Sequence, residues 1–223
     1  MGTTIKLKAK DGHELGAYKA EPQGKPKGAL VVLQEIFGVN HHMRNVGDQF
    51  AQQGYLTVTP ALFDRVRPGI ELGYSPEDVA KGRDIRGEIT LEDTLKDLQA
   101  AIDEAGKSGL KVGVVGYCWG GGLAFLAATR LNGVAAAVGY YGGLVAAHAE
   151  EKPRVPVILH FGETDASIPM SDVEKVKKAQ PDMSIFTYQA GHGFACDERG
   201  SYDKKATELA DERTLKFFAQ KLA

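Results

Sequence analysis

"KVGVVGYCWGGGLAFLAATR", residues 111–130, joins two kinds of segment at a glycine-bounded turn. The first is a short, unbroken apolar run, the pattern of a strand covered on both faces. The second is rich in alanine and leucine and reads as a helix. Between them Gly116 and Gly120 flank Cys118 in the spacing Gly-x-Cys-x-Gly. This is the strand–turn–helix elbow Gly-x-Ser-x-Gly with a cysteine where the serine stands. Side chains at the flanking positions would collide with the neighbouring strand and helix, so the glycines have a steric reason to be there. A helix N-terminus beneath the sulfur favours thiolate over thiol. A buried structural cysteine beside packing glycines would leave the same pattern, since free cysteine is among the most buried residue types. Phosphate binding does not fit, because the glycines do not follow Gly-x-Gly-x-x-Gly and no Lys-Ser/Thr pair follows them.

Outward from this stretch the same alternation recurs. Upstream, "GALVVLQ" (28–34) reads as a buried strand and "YLTVTP" (55–60) as the next strand. Between them Met43, Val46 and Phe50 recur at helical spacing, and Gly54 supplies a stop. Residues 3–10 and 13–20 flank Asp11–Gly12, a hairpin signal. The polar stretch from about 64 to 87 predicts an irregular excursion near the site, partly helical from Pro76. Thr90 and Asp93 suit a capping box, Leu91, Leu95, Leu98 and Ile102 form one helical face, and Gly106 or Gly109 ends that helix. Downstream, 134–142, 155–162 and 183–189 read as strands, and roughly 202–221 as the last helix. Strands and helices alternating at this spacing predict an α/β fold over residues 1–223 as one domain, with a mainly parallel sheet covered by helices on both faces. In such sheets ligands bind beyond the carboxyl ends of the strands.

Composition narrows the partners. A formal net charge of -2 gives no electrostatic case for nucleic acid or an anionic membrane. Two cysteines in 223 residues fit a reducing compartment better than a disulfide scaffold. The opening "MGTTIKLKAKDG" lacks the apolar stretch of a signal peptide, and Lys6 stands where a myristoylation site needs Ser or Thr. A cytoplasmic monomer acting on a small molecule is expected.

An elbow nucleophile needs a base and an acid. Of the six histidines, His13 lies in the hairpin, His41 and His42 open a helix, and His148 sits in a polar connection. His160 falls inside a buried strand and reads as a core histidine. His192 alone lies in a glycine-framed loop, "AGHGFA", just past the last strand. Glu163 and Asp165 follow the preceding strand, and Asp165, in a turn leading to a helix, is the better acid. The order nucleophile, acid, histidine is that of α/β-hydrolases. Their oxyanion hole predicts the amides of Trp119 and, in the loop "LQEIFGVN", Ile36. Glu35 sits at the same strand end. His192 and Cys196, four apart, lack further ligands in the sequence, so no metal or other cofactor is expected.

With "QEIFGVN" (34–40), "VGYCWGG" (115–121), "GYYGG" (139–143), "GETDASIP" (162–169) and "AGHGFA" (190–195), the chain resembles the dienelactone hydrolase (carboxymethylenebutenolidase) family of α/β-hydrolases along nearly its whole length. The resemblance implies the α/β-hydrolase fold, a triad of Cys118, His192 and Asp165, and hydrolysis of a small ester or enol-lactone through a thioester. It also implies that Glu35 engages the resting thiol until substrate displaces it. Family members hold the substrate carboxylate with two arginines. Arg83, or Arg86, matches the first. Cys196 stands at the second position, with Arg199 close by. Phe37, Trp119, Tyr140, Tyr141 and Phe194 are expected to line an apolar pocket. A general carboxylesterase or thioesterase of the same fold, or a small-molecule binding protein without turnover, are the alternatives.

Overall fold

The computed structural model describes residues 2–222. Strands β1 (Thr3–Lys8) and β2 (Glu14–Ala20) form the hairpin, turning at Gly12 with φ +91°. β3 (Ala29–Leu33), β4 (Leu56–Pro60) and β5 (Val112–Tyr117) are buried at every residue. β6 (Val134–Tyr140), β7 (Val157–Gly162) and β8 (Ser184–Tyr188) complete one sheet in the order β1-β2-β4-β3-β5-β6-β7-β8. β1–β2 and β2–β4 pair antiparallel, and every other neighbouring pair is parallel. The unbroken apolar runs belong to the parallel part, where helices cover both faces. β1, at one edge, turns Lys6 and Lys8 outward, which discourages edge-to-edge pairing.

The helices are α1 (His41–Gln52), α2 (Pro76–Gly87), α3 (Leu91–Gly106), α4 (Trp119–Arg130), α5 (Met170–Ala179) and α6 (Lys204–Leu222). α4 packs on β5, β6 and α3, while α1 and α6 flank a cavity lined by Val46, Phe50 and Leu215. The 64–87 excursion resolves into a 3-10 turn at Leu62–Arg65, a connection and α2. Ser75 and Asp78 close a full capping box there, with Pro76 at the first helical position. At α3 only half of the expected box forms: Thr90 accepts from the Asp93 amide, and the Asp93 carboxylate takes the Thr90 hydroxyl. Arg65 pins the start of the excursion to α3 with two bonds, of 2.7 and 2.8 Å, to Asp97, a carboxylate with no exposed surface. Removing one partner of such a buried pair costs about 3–5 kcal/mol.

β3, β5, β7 and β8 all end on the same rim. The loops that follow them carry Ile36, Cys118, Asp165 and His192. Among the described residues no helix is long and apolar enough to cross a membrane.

Candidate active site

Cys118 is the residue before α4 and has φ 54°, ψ -115°, a left-handed conformation that costs a non-glycine residue about 1–3 kcal/mol. The turn is tight enough to explain its neighbours. A Cβ on Gly116 would lie 1.9 Å from the Gly120 carbonyl oxygen, and one on Gly120 would lie 2.5 Å from that of Leu33. The sharp turn lifts the side chain out of the sheet plane, leaving Cys118 half-buried at the rim. Trp119 is the first helical residue, so its N–H has no acceptor inside the helix.

The loop after β8 brings the His192 Nε2 to 3.1 Å from the Cys118 Sγ, and its Nδ1 lies 2.7 Å from Asp165 Oδ2. Asp165 is buried, and its other oxygen accepts the amides of Ser167 (2.7 Å) and Ile168 (3.1 Å). The carboxylate is thereby aimed before the imidazole meets it. Glu163, the other acid of this turn, faces away, bonded to Thr187 at 2.7 Å and to Gln189. Burial would push the His192 imidazole down, but its bonds to Asp165 and Cys118, with the charges they carry, lift it to about 10. A cationic imidazole is the partner a thiolate needs. His160 is the core histidine expected, between Tyr188 and Thr214 hydroxyls and depressed to about 3 by burial and by Arg213.

A cavity of about 390 Å³ opens over the sulfur. Ile36, Phe37, Arg83, Arg86, Trp119 and Arg199 line it together with Cys118 and His192. Among the described residues the Ile36 N–H, like that of Trp119, has no backbone acceptor. α2 approaches the Ile36 loop closely because position 82 is glycine: a Cβ there would lie 2.0 Å from the Ile36 carbonyl oxygen. Gly82, with the apolar liners Val79, Leu144 and Ile168, is a contributor that sequence reasoning missed. Its only trace was a glycine inside a helical stretch, which hints at close backbone approach without naming the partner.

Three of the aromatic residues expected in the pocket are elsewhere. Tyr140 points to the α6 side of β6, bonded to Asp211 (2.8 Å) and Thr214 (2.7 Å), because alternate residues of a strand face opposite sides of the sheet. Tyr141 turns away from the strand at φ 38° and packs its ring 5.1 Å from that of His192. Phe194 stands behind it, at 5.3 Å. Both are fully buried and brace the imidazole without lining the cavity.

Arg199 turns inward. Its Nη1 lies 2.9 Å from Glu35 Oε1, and its guanidinium sits over Phe37 at 5.6 Å and Tyr74 at 5.9 Å. Burial works against its charge, yet Glu35 outweighs this and the guanidinium is held more firmly protonated than usual. The expected contact between Glu35 and the thiol is therefore replaced: Glu35 holds Arg199, and the thiol faces His192.

The family model of the dienelactone hydrolase family matches residues 15–222. The chain is 37% identical over 227 residues to a carboxymethylenebutenolidase of Pseudomonas putida, covering 96% of this chain and 95% of that one. Carboxymethylenebutenolidase 1 of Cupriavidus pinatubonensis is 30% identical over 96% of this chain and 95% of its own. Among solved structures, one from Klebsiella pneumoniae bearing the dienelactone hydrolase name superposes with TM-score 0.86 at 29% identity, covering 99% of both chains. An esterase of Pyrococcus furiosus shares the fold at 12% identity, with TM-score 0.74 over all of this chain and 93% of its own.

Proposed function

The chain belongs to the dienelactone hydrolase family, enzymes acting on esters or lactones, and we propose that it hydrolyses a small ester or enol-lactone bearing a carboxylate, with Cys118 as nucleophile. The observation that carries this reading is the continuous line Sγ–Nε2–Nδ1–Oδ2, with contacts of 3.1 and 2.7 Å. In the resting site His192 holds the thiol's proton and stabilises the thiolate. The thiolate attacks the carbonyl carbon, and the electron pair moves to oxygen, which the Ile36 and Trp119 amides receive. Such a donor is worth about 2.7–4 kcal/mol of barrier. Collapse of the intermediate breaks the bond to the leaving oxygen, which takes the proton from His192 Nε2 and leaves a thioester on Cys118. Neutral His192 then removes a proton from water, hydroxide adds to the thioester, and the thiolate departs with the imidazole again cationic. Asp165 fixes the tautomer and supports the cation in both halves. A thiolate leaves more readily than an amine, so amides revert where activated esters and enol-lactones go forward.

The carboxylate preference rests on Arg83, Arg86 and Arg199 lining one cavity. Arg199 takes the part for which Cys196 is unsuited, reaching the cavity from three residues further along. p-Nitrophenyl acetate tests the chemistry: a burst and turnover are expected, both absent in Cys118→Ala. A paired series of neutral and carboxylate-bearing aryl esters tests the preference. Arg199→Gln is expected to lower kcat/KM about 10–100-fold for the charged series alone. Equal losses in both series would reject the carboxylate assignment and leave the hydrolase.

A further inference from the structure

Cys196 has buried company that its sequence neighbours do not supply. Glu35 at the end of β3, His42 in the first turn of α1 and Cys196 beyond His192 bring one ligand atom each to within 4.8 Å of one another. All three are buried, at 1%, 4% and 0% exposure. Among the described residues two of the polar atoms there have no hydrogen-bond partner: Glu35 Oε2 and His42 Nε2. The other atom of each is already used, Glu35 Oε1 by Arg199 at 2.9 Å and His42 Nδ1 by Asp197 at 3.0 Å. Leaving two such atoms buried without partners costs about 1–3 kcal/mol each, a cost that a shared ligand removes.

From this arrangement we infer that Glu35, His42 and Cys196 form a binding site for one divalent transition-metal ion of the zinc class. A carboxylate, an imidazole and a thiol are the donor set such ions take, at about 2.0–2.3 Å from each ligand atom. Tetrahedral closure needs ligand atoms about 3.3–3.6 Å apart, so from separations of up to 4.8 Å loading draws the cluster in by at most roughly 1.5 Å. The second layer has the form that metal-bound histidine takes, with a carboxylate on the far ring nitrogen. It also balances charge. The cation and Arg199 together meet the Cys196 thiolate, Glu35 and Asp197, leaving no net excess. Binding breaks the Cys196 S–H bond, forms a metal–sulfur bond and releases the proton to solvent. A water or the hydroxyl of Tyr74, which lies against Cys196 and near Glu35, takes the fourth position. The ion would tie the segment following His192 to the start of α1, with Glu35 bridging it to Arg199.

Cys118 and His192 are themselves a metal-prone pair, so the test uses full-length Cys118→Ser, in which Cys196 is the only thiol. Cobalt(II) chloride is titrated while the near-ultraviolet thiolate-to-cobalt charge-transfer band and the visible tetrahedral bands are followed. One equivalent is expected to give both. Adding Cys196→Ser is expected to abolish the charge-transfer band, and adding His42→Gln to weaken binding at least tenfold. No charge-transfer band in large cobalt excess would overturn the inference, as would a band surviving Cys196→Ser or an affinity indifferent to His42→Gln. X-ray absorption of zinc-loaded Cys118→Ser needs no further variant: one sulfur ligand supports the site, and none rejects it. Either result leaves the hydrolase reading untouched, because Cys118, His192 and Asp165 are outside the ligand set.

Discussion

Asp165→Asn is the substitution whose outcome the geometry fixes most tightly. Asparagine is nearly isosteric, and its carbonyl oxygen can inherit the two amides, of Ser167 and Ile168, that Asp165 Oδ1 accepts. The NH2 group must then face His192 Nδ1, where Oδ2 stood at 2.7 Å. Flipping the amide would set NH2 against two N–H donors, at about 1–3 kcal/mol for each one left unsatisfied. The imidazole is therefore forced to accept at Nδ1 and carry its proton on Nε2, so it cannot take one from the thiol. It also loses the carboxylate that helps lift it to about 10, while the burial that pushes it down remains. A tautomer trap of this kind costs a serine enzyme about 10⁴ in turnover. A thiol ionises without help more easily, so a loss of about 10²–10⁴ is expected here, or roughly 3–5 kcal/mol of barrier. Stopped-flow hydrolysis of p-nitrophenyl acetate reads the burst and the steady state. Iodoacetamide labelling of Cys118 against pH reads the nucleophile: nearly flat across neutral pH in the native protein, rising with pH in the variant as for an unassisted thiol. A folded variant within about threefold of native kcat/KM, with unchanged labelling, would refute the triad.

Glu163→Gln is expected to leave kcat/KM within about twofold, since Glu163 bonds Thr187 and not the imidazole; a Glu163→Gln loss like that of Asp165→Asn would reassign the acid. Glu35→Gln in chelator-treated buffer frees the Arg199 charge beside the cavity and is expected to speed Cys118 labelling about 3–10-fold on the acid limb of its pH profile, where part of the sulfur is protonated. An unaltered acid limb would separate this pair from the thiol. Asp211 is raised to about 6 by burial, against the bond from Tyr140 that lowers it. Its protonated form stabilises the fold fully below the unfolded value of about 3.9, and that stability is lost as pH rises through 6. Ionised Asp211 therefore costs on the order of 3 kcal/mol at pH 8. Asp211→Asn is expected to gain up to that amount in urea unfolding at pH 8 and little at pH 4, and equal differences at both would remove Asp211 as the cause.

What could be read along the chain was whatever local sterics and periodicity encode. Unbroken apolar runs announced β3 and β5, because a strand covered on both faces has few positions for a polar side chain. Gly116 and Gly120 announced the turn at Cys118 by their spacing: the collision Gly116 avoids is with Gly120, four residues on, although the one Gly120 avoids is with Leu33 on the neighbouring strand. The same locality limited the reading. Tyr140 and Tyr141 are adjacent letters, yet one faces α6 and the other His192, since the strand ends between them at a positive φ. Arg199 was visible as a nearby cation, but its inward turn depends on a carboxylate 164 residues away. Cys196 and His192, read together as a metal pair, lacked further ligands along the sequence, because Glu35 and His42 belong to the other end of the chain. Only the closing of the sheet sets these side chains facing one another, and burial then gives their charges and unpaired atoms a strength that no spacing in the sequence conveys.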